Sequence, residues 1–278
     1  MTQRTQKEKG DEFRSYHERG RAFIIPNPWD AGTARMLAHM GFEALATTSA
    51  GHAFTLGVKD GMVGRERTLA NVAAIAAATD LPVSGDLENG FGESPETVAE
   101  TIRMAAEAGL VGGSIEDATG RPEEPIYPME RAIERIEAAA EAARGLPFRF
   151  TLTARAENYL YGRADLKDTI QRLRTYQEAG ADVLYAPGLT TKEEIAAVIR
   201  SVDRPVNVLM GLGAGSPGLS LEELSEMGVR RVSVGSALCR VALGAFLSAA
   251  KELKERGTFG FAKKAAGTQK IVEMFGSG

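Results

Sequence analysis

The chain has 278 residues, of which 44% are hydrophobic, 25% charged and 6% aromatic, and its formal net charge is −4 at pH 7. These values are close to those of ordinary globular proteins and exclude collagen, coiled coil and low-complexity disorder. A slightly acidic chain gives no reason to expect nucleic acid or a membrane as a partner.

Cysteine is nearly absent from the sequence. Cys239 is the only one, which excludes an internal disulfide and a cysteine-based metal site. We interpret it as a small buried residue. The first twenty residues are polar and lack the apolar core of a secretory signal, and no stretch approaches the ~18 apolar residues of a membrane span. We therefore expect a cytoplasmic protein.

Short runs rich in β-branched residues alternate with amphipathic stretches along the chain. The runs predict eight strands, at 22–25, 44–48, 81–86, 111–116, 148–155, 182–185, 206–209 and 231–234. The stretches between them predict helices at 33–39, 65–78, 95–108, 129–143, 166–179, 192–200, 221–227 and 237–255. Further helices are expected near 7–19 and 261–274. Several helices end in glycine followed by a hydrophobic residue, at Gly41, Gly109, Gly180 and Gly228, which is typical of a helix C-cap that leads into a strand.

Eight strand–helix units predict a (β/α)8 TIM-type barrel. An open doubly wound sheet is the alternative, but it usually needs fewer units, and no Gly-x-Gly-x-x-Gly turn follows the first strand. No Pro/Ser-rich linker divides the chain. We therefore expect a single domain over 1–278, with terminal helices in about 1–20 and 257–278.

Carboxylates dominate the predicted carboxyl ends of the strands, where barrels place their active sites. Asp86 and Glu88 follow the third strand, and Glu116 ends the fourth. Like charges held together raise each other's pKa unless a cation lies between them, and oxygen ligands without His or Cys favour Mg²⁺ or Mn²⁺. For each acid taken alone, capping of the next helix is an equal alternative.

Arg155 ends the fifth predicted strand. A guanidinium at this position suits bidentate binding of a substrate carboxylate. It could also form an ion pair with Glu157 or Glu116, and the two interpretations are compatible.

The segment after the second strand is small and rich in hydroxyls. Its hydroxyls and approachable backbone N–H groups could bind a carboxylate or an oxyanion, or it could be an ordinary turn. Two further residues have open roles: Trp29 either walls the pocket or packs, and Asn207 points into the barrel or towards the ligand. The candidate binding residues here are Thr48, Ser49, Ala50, Gly51, Trp29 and Asn207.

The run Asp86-Leu-Glu88-Asn-Gly-Phe-Gly92 resembles the metal motif of the isocitrate lyase/phosphoenolpyruvate mutase superfamily. The resemblance extends over about 27–236 and includes further matching segments: Thr48-Ser49, Leu56-Gly-Val-Lys-Asp60, Glu116-Asp117 and Arg155-x-Glu157. It implies a Mg²⁺-assisted site for small 2-oxo acids or their enolates.

The resemblance also implies residue roles. Asp86 would be the direct metal ligand, and Glu88 and Glu116 would hold metal-bound waters. Thr48, Ser49 and Arg155 would grip the substrate carboxylate, and Asp60 would lie on a mobile loop near the reacting carbon. Members of the superfamily are typically tetramers that exchange the last barrel helix, which fits the apolar run at 241–250 and predicts a homo-oligomer.

Three loops depart from the best-known members. The segment 51–60 lacks the cysteine of isocitrate and methylisocitrate lyases, the segment 118–124 lacks the Lys and Asn of the mutases, and Pro187 stands where the mutase has His. Neither tricarboxylate cleavage nor P–C bond chemistry therefore transfers cleanly.

The leading hypothesis is a Mg²⁺-dependent carbon–carbon lyase or decarboxylase for a small 2-oxo or 2-hydroxy dicarboxylate, with an enolate intermediate. Asp60, His52 or Tyr185 could carry the proton. The alternatives are P–C chemistry of the phosphonopyruvate type, a sugar-phosphate aldolase that binds phosphate at the glycine-rich segment 211–218, and a non-catalytic 2-oxo acid binding protein.

Overall fold

The computed structural model describes residues 4–211 and 218–275. Eight parallel strands form one sheet in the order β1-β8-β7-β6-β5-β4-β3-β2. The strands are β1 (Phe23–Ile25), β2 (Leu45–Ala46), β3 (Val83–Asp86), β4 (Gly112–Glu116), β5 (Thr151–Arg155), β6 (Val183–Tyr185), β7 (Val206–Leu209) and β8 (Arg231–Ser233). All eight predicted strands are present, and the expected TIM-type barrel is confirmed.

Asn27 helps to close the barrel between β1 and β2, the two ends of this order. The amide of Ala46 donates to the carbonyl of Pro26 at 3.1 Å. The Asn27 side chain donates to the carbonyl of Thr47 at 3.0 Å and accepts from the amides of Val234 and Gly235, both at 2.9 Å. One buried amide side chain thus ties the ends of β1, β2 and β8 together.

Helices follow each strand. They are α1 (Gln6–Glu18), α2 (Ala31–His39), α3 (Ser49–Thr55), α4 (Arg65–Ala77), α5 (Pro95–Glu107), α6 (Met129–Arg144), α7 (Leu166–Glu178), α8 (Lys192–Ser201), α9 (Leu221–Glu226), α10 (Ala237–Arg256) and α11 (Thr268–Met274), with a 3₁₀ helix at Gly260–Lys264. The expected continuous helix at 261–274 is wrong, because Ala265 and Gly267 adopt extended backbone conformations and interrupt it.

The glycines predicted to end helices do so. Gly41, Gly109, Gly180 and Gly228 have φ values of 86°, 97°, 108° and 101°. This left-handed region is accessible to glycine at little cost and lets the chain leave the helix for the next strand.

The main core lies between the sheet and the surrounding helices and includes Ile102, Ile136, Leu152 and Leu184. A second cluster contains Phe13, Phe23 and Ile25, and its Phe13 lies against Gly112, the first residue of β4. Helix α1 supplies Phe13, so this helix plugs the amino-terminal end and leaves the other end open. No helix in the described ranges is long and apolar enough to cross a membrane.

Candidate active site

A cavity of about 170 Å³ opens at the carboxyl ends of the strands and is lined by residues from all eight of them. Its size suits a ligand of a few carbon atoms rather than a drug-sized molecule. A larger groove of about 670 Å³ lies at the other end of the barrel, where Lys7, Arg14 and Arg149 line an open surface beside α1. We place the site in the smaller cavity, because only there do the strand-end acids and Arg155 converge.

Arg155 is the hub of this cavity. Its Nη1 lies 2.9 Å from Oδ1 of Asp86, its Nη2 3.1 Å from Oε2 of Glu116, and its Nε 2.8 Å from Oε1 of Glu157. The guanidinium carbon also lies 5.2 Å from the centre of the Tyr185 ring. The ion pairs anticipated with Glu116 and Glu157 are therefore present, and Arg155 bridges acids from three different strand ends.

The pKa values of Glu116 and Glu157, two of the acids around Arg155, are strongly shifted. Burial raises the pKa of Glu116 well above its ordinary value, although Arg155 opposes the shift. Burial raises the pKa of Glu157 to about 7, again against the pull of Arg155. Three acids thus share one guanidinium in a largely buried site, so a further cation would be needed to keep all three ionised.

Asp86 is held by β2 and the helix that follows it. Its Oδ2 accepts from the amide of Ser49 at 3.0 Å, and its own amide donates to the hydroxyl of Thr47 at 2.8 Å. These bonds, together with Arg155, fix the carboxylate at the point where a ligand enters the cavity.

The segment after β2 is the start of helix α3, not the loose turn considered from the sequence. Thr48 is its N-cap, and its side chain accepts from the amide of Gly51 at 3.2 Å. Gly51 is needed here because a Cβ would lie 2.6 Å from Cγ2 of Thr48 and 3.1 Å from Cβ of Trp29. The amide of Ala50 lies in the first helical turn, where no intrahelical acceptor exists, and Ser49 and Ala50 line the cavity.

Glu88 differs from the other acids in lacking a partner. Its backbone has φ 49°, and its Oε1 is buried without a hydrogen bond. Burial, followed by the charges of Asp86 and Asp60, raises its pKa to about 7. An orphaned carboxylate oxygen next to Asp86 fits a hydrated divalent cation.

The metal set expected from the resemblance is not a preformed cage. Within residues 4–211 and 218–275, no three His, Cys, Asp or Glu side chains are arranged to hold an ion together. Because Mg²⁺ usually keeps several waters and takes only one or two carboxylates directly, Asp86 as direct ligand, with Glu88 and Glu116 acting through water, remains compatible with this geometry. The assignment stays a prediction.

A buried network behind the cavity positions Glu157. Oδ1 of Asp117 accepts from the amide of Glu157 at 2.8 Å, and its Oδ2 accepts from Nη1 of Arg172 at 3.0 Å and from the hydroxyl of Tyr176 at 2.6 Å. The acid after Glu116 therefore does not enter the site but fixes the backbone that carries Glu157.

The structure brings together most of the residues selected from the sequence. Eight of them line the cavity: Thr48, Ser49, Ala50, Asp60, Asp86, Arg155, Tyr185 and Asn207. Asp60 lies at the edge of the cavity. The residue as a whole is exposed, but partial desolvation of its carboxyl group, followed by the charge of Asp86, raises its pKa. Asn207 answers the question left open above, since it points into the barrel and donates to Ser233 at 2.9 Å while still facing the cavity.

Five selected residues lie outside the cavity lining: Gly51, Glu88, Glu116, His52 and Trp29. His52 lies on α3, interacts with the backbone of Arg67, and has its pKa lowered by burial. Trp29 lies beside Gly51, and its amide donates to the hydroxyl of Thr33. Trp29 therefore packs, and His52 is the weakest of the three proton-carrier candidates.

Further polar residues line the cavity but were not among the residues selected from the sequence, including Asn27, Arg231 and Ser233. Asn27 follows the first predicted strand, and the other two lie within the last one. The signal that could have found Arg231 is a charged residue inside an otherwise apolar β8. No lysine lines the cavity in the described part of the chain, so the Schiff-base aldolase alternative lacks its nucleophile. The glycine-rich segment proposed for phosphate lies largely outside the described residues.

The fold is a (β/α)8 barrel of the kind that carries its active site at the strand carboxyl ends, and here Asp86, Glu116 and Glu157 surround Arg155 at that end. Residues 13–254 match the family profile described as phosphoenolpyruvate phosphomutase. The chain therefore belongs to the PEP mutase family, in the isocitrate lyase/PEP mutase superfamily, as its motifs suggested.

Relatives extend over most of the chain. An uncharacterized protein of Mycobacterium tuberculosis (strain H37Rv) is 34% identical over 87% of this chain and 89% of its own length. The 2-methylisocitrate lyase of Halalkalibacterium halodurans is 28% identical over 92% and 85%. Further curated relatives with a named activity, from Aeropyrum pernix and Shewanella oneidensis, are also 2-methylisocitrate lyases.

Solved structures give the same result. A protein of Burkholderia cenocepacia J2315, provisionally described as a lyase/mutase, is 61% identical, with a TM-score of 0.94 over 98% of this chain and 97% of that one. Oxaloacetate acetylhydrolase in complex with oxalate is 26% identical, with a TM-score of 0.87 over 96% and 94%. A 2,3-dimethylmalate lyase is 27% identical, with a TM-score of 0.86 over 96% and 95%.

Proposed function

We propose that the protein is a Mg²⁺-dependent enzyme that cleaves a carbon–carbon bond in a small 2-oxo or 2-hydroxy dicarboxylate. The observation that carries this proposal is the position of Arg155 between Asp86, Glu116 and Glu157 in a cavity of about 170 Å³. Acids that could bind a cation and a guanidinium that could bind an anion therefore lie close enough together to contact the same small ligand.

The relatives support a dicarboxylate substrate. Oxaloacetate acetylhydrolase and 2,3-dimethylmalate lyase match nearly the whole chain. The segments 51–60 and 118–124 lack the residues typical of the tricarboxylate lyases and the mutases. This favours a dicarboxylate substrate over the substrate of the 2-methylisocitrate lyases and over P–C chemistry.

Asp86, Glu88 and Glu116 would hold the metal, and the unpartnered Oε1 of Glu88 supports the assignment. A bound Mg²⁺ would act as a Lewis acid that polarises the 2-oxo group of the substrate.

The chain's own residues would bind and orient the substrate. Arg155 would bind a carboxylate with the face that it now presents to Asp86 and Glu116. The first turn of α3, with the amide of Ala50 and the hydroxyl of Ser49, would donate to the oxygen that becomes negative when the bond breaks.

The residue that transfers the proton would be Asp60, at the edge of the cavity, or Tyr185, in its wall. Asp60 lies at the edge with a raised pKa, so its carboxyl can exchange a proton closer to neutral pH than an ordinary aspartate can. Tyr185 is buried, and burial raises the pKa of its phenol, so the phenol keeps its proton at neutral pH and does not act as a base. Asp60 is thus the better candidate for proton transfer.

A substrate screen tests this proposal. Purified protein with Mg²⁺ would be incubated with oxaloacetate, 2-methylmalate, 2,3-dimethylmalate and phosphonopyruvate, and the products followed by NMR. We expect cleavage of at least one C4–C6 dicarboxylate and no P–C cleavage. Turnover of phosphonopyruvate alone would refute the proposal.

We further propose that the protein is a homo-oligomer that uses α10. Cys239 is the only buried residue of this twenty-residue helix, and Val241, Phe246 and Leu247 are between 64% and 71% exposed. An apolar helix face of this kind is typical of a subunit contact. Analytical ultracentrifugation should show a dimer or tetramer, and a monomer at all concentrations would contradict the proposal.

A further inference from the structure

Arg231 is a second cavity arginine with a different environment from Arg155. It begins β8, beside Asn207 of β7 and Phe23 of β1, and it lines the cavity with only 5% of its surface exposed. Its Nε donates to Oδ1 of Asn207 at 2.9 Å, and its Nη2 donates to the hydroxyl of Thr153 at 3.0 Å. The guanidinium therefore crosses the barrel from β8 towards β5 and contributes to the floor of the cavity.

The charge of Arg231 has no acidic partner. Its hydrogen-bond acceptors are an amide oxygen and a hydroxyl, and no ion pair joins it to a carboxylate within the described ranges. Its Nη1 is buried without any hydrogen-bond partner. Burial lowers its pKa to about 10, so the group still carries its charge at neutral pH. A buried, unpaired charge is costly for a folded protein.

The other buried arginines have carboxylate partners or donate to more hydrogen-bonding neighbours than Arg231 does. Arg172 pairs with Asp117 and Asp168, and Arg135 donates to three backbone carbonyls, those of Asn89, Gly92 and Glu93. Arg155 has three carboxylates. Arg135 also leaves its buried Nε without a hydrogen bond, but it does not line the cavity. Arg231 keeps its Nη1 free and lies in the cavity wall.

We propose that Arg231 binds the distal carboxylate of the substrate and so selects dicarboxylates over monocarboxylates. This inference rests on the proposed function, because it assumes that the other end of the substrate is bound near Asp86 and Arg155. The free Nη1 and the lining position of Arg231 carry it.

The spacing along β5 agrees with such a ligand. Thr153, which holds Arg231, and Arg155 lie two residues apart on the same face of β5, a rise of roughly 7 Å. The guanidinium of Arg155 therefore lies near the mouth of the cavity, and that of Arg231 lies deeper in the same cavity. An extended four-carbon dicarboxylate has its outer oxygens at a comparable separation.

The test compares ligands that differ in one group. Malate and 2-hydroxybutyrate share a 2-hydroxy acid end, but the second has a methyl group in place of the distal carboxylate. Oxalate reports on the Asp86 and Arg155 end alone. Titration calorimetry with Mg²⁺ present would measure all three with the wild-type protein, Arg231→Gln, Arg231→Lys and the neighbouring control Arg230→Gln, whose Nη1 bonds only the carbonyl of Val229.

We expect the wild-type protein to bind malate at least about tenfold more tightly than 2-hydroxybutyrate, because a charge-assisted hydrogen bond contributes about that factor. In Arg231→Gln the two affinities should become equal within about twofold, while oxalate binding changes by less than about threefold. Arg231→Lys should keep part of the preference, and Arg230→Gln all of it.

The outcomes separate the two proposals. If the wild-type protein does not bind oxalate, the proposed function fails. If it binds oxalate but does not distinguish malate from 2-hydroxybutyrate, the inference about Arg231 fails and the proposed function stands. This comparison of ligands uses only the wild-type protein, so it does not depend on whether a variant folds. A crystal structure with Mg²⁺ and malate adds a direct check, since an inorganic anion or water at Nη1, with the distal carboxylate elsewhere, would overturn the inference.

Discussion

Nη1 of Arg155 lies 2.9 Å from Oδ1 of Asp86, across the opening of the barrel. Arg155 is proposed to bind the substrate, and Asp86 is proposed to bind the metal. Ligand binding would therefore exchange this ion pair for two new charge interactions, which keeps the site compensated both before and after a substrate enters.

Replacing Arg155 should lower the free energy of unfolding of the protein. In Arg155→Met, Glu116 and Glu157 lose their shared cation, and we expect the free energy of unfolding to fall by about 3–5 kcal/mol in urea titrations. The control is Arg65→Met, which removes an exposed ion pair with Glu100 and should change the value by about 1 kcal/mol or less. Equal effects of the two variants would contradict the role of Arg155 as hub.

The network behind the cavity should contribute stability through Tyr176. In Tyr176→Phe, Asp117 loses a buried hydroxyl donor at 2.6 Å, and the free energy of unfolding should fall by about 1–3 kcal/mol. Tyr159→Phe is the matched control, because its hydroxyl bonds the partly buried Glu194 at 3.1 Å and should contribute less. A smaller loss for Tyr176→Phe than for the control would refute this account.

Gly51 should not tolerate a methyl group. A Cβ there would come within 2.6 Å of Cγ2 of Thr48, so Gly51→Ala should lower the free energy of unfolding by about 1–3 kcal/mol and weaken oxalate binding by displacing the start of α3. Gly32→Ala, in α2, meets only Oδ1 of Asp30 at 3.5 Å. It should be neutral or stabilise the protein by up to about 1 kcal/mol. Thermal and urea denaturation of both variants would show whether this contrast exists.

The stability of the metal-free protein should depend on the ionisation of Glu88. Its pKa is about 7 in the folded protein, against an ordinary value of 4.5. As pH rises between these values, the unfolded chain loses its proton first, so the free energy of unfolding should fall, by roughly 1–3 kcal/mol for this group. Below pH 4.5 the group is protonated in both states and has no effect.

Two comparisons isolate this contribution in urea titrations from pH 4.5 to 7.5. Glu88→Gln should lose a large part of the decline, although Glu157, with its similar pKa, should retain some. Added Mg²⁺ should oppose the decline in the wild-type protein because it binds the ionised carboxylates. A wild-type stability that rises over this range in EDTA would contradict the assigned shift.

The barrel and the strand-end acids could be predicted because both depend on local pattern. Asp86, Glu116 and Arg155 each end a strand, and strand ends meet on one face of a parallel barrel. Helix α3 was not predicted because its seven residues are too few to show a clear apolar period. The only local sign of this helix is its N-cap residue, Thr48.

Contacts between distant segments could not be read from the pattern. Arg231 faces inward only because β8 closes against β1 and β7, and a strand arginine in isolation gives no sign of this. The same holds for Asn27, whose three partners come from the ends of β2 and β8.

The most direct test of the central claim is the dependence of dicarboxylate cleavage on the metal. Product release would be measured for the substrate found in the screen, with Mg²⁺, after EDTA treatment, and after Mg²⁺ is restored, for the wild-type protein and Asp86→Asn. We expect EDTA to lower kcat/KM of the wild-type protein by at least about 100-fold, which corresponds to several kcal/mol of Lewis-acid stabilisation, and Mg²⁺ to restore it, with Asp86→Asn inactive in all three arms. Equal rates with and without EDTA would contradict the proposal.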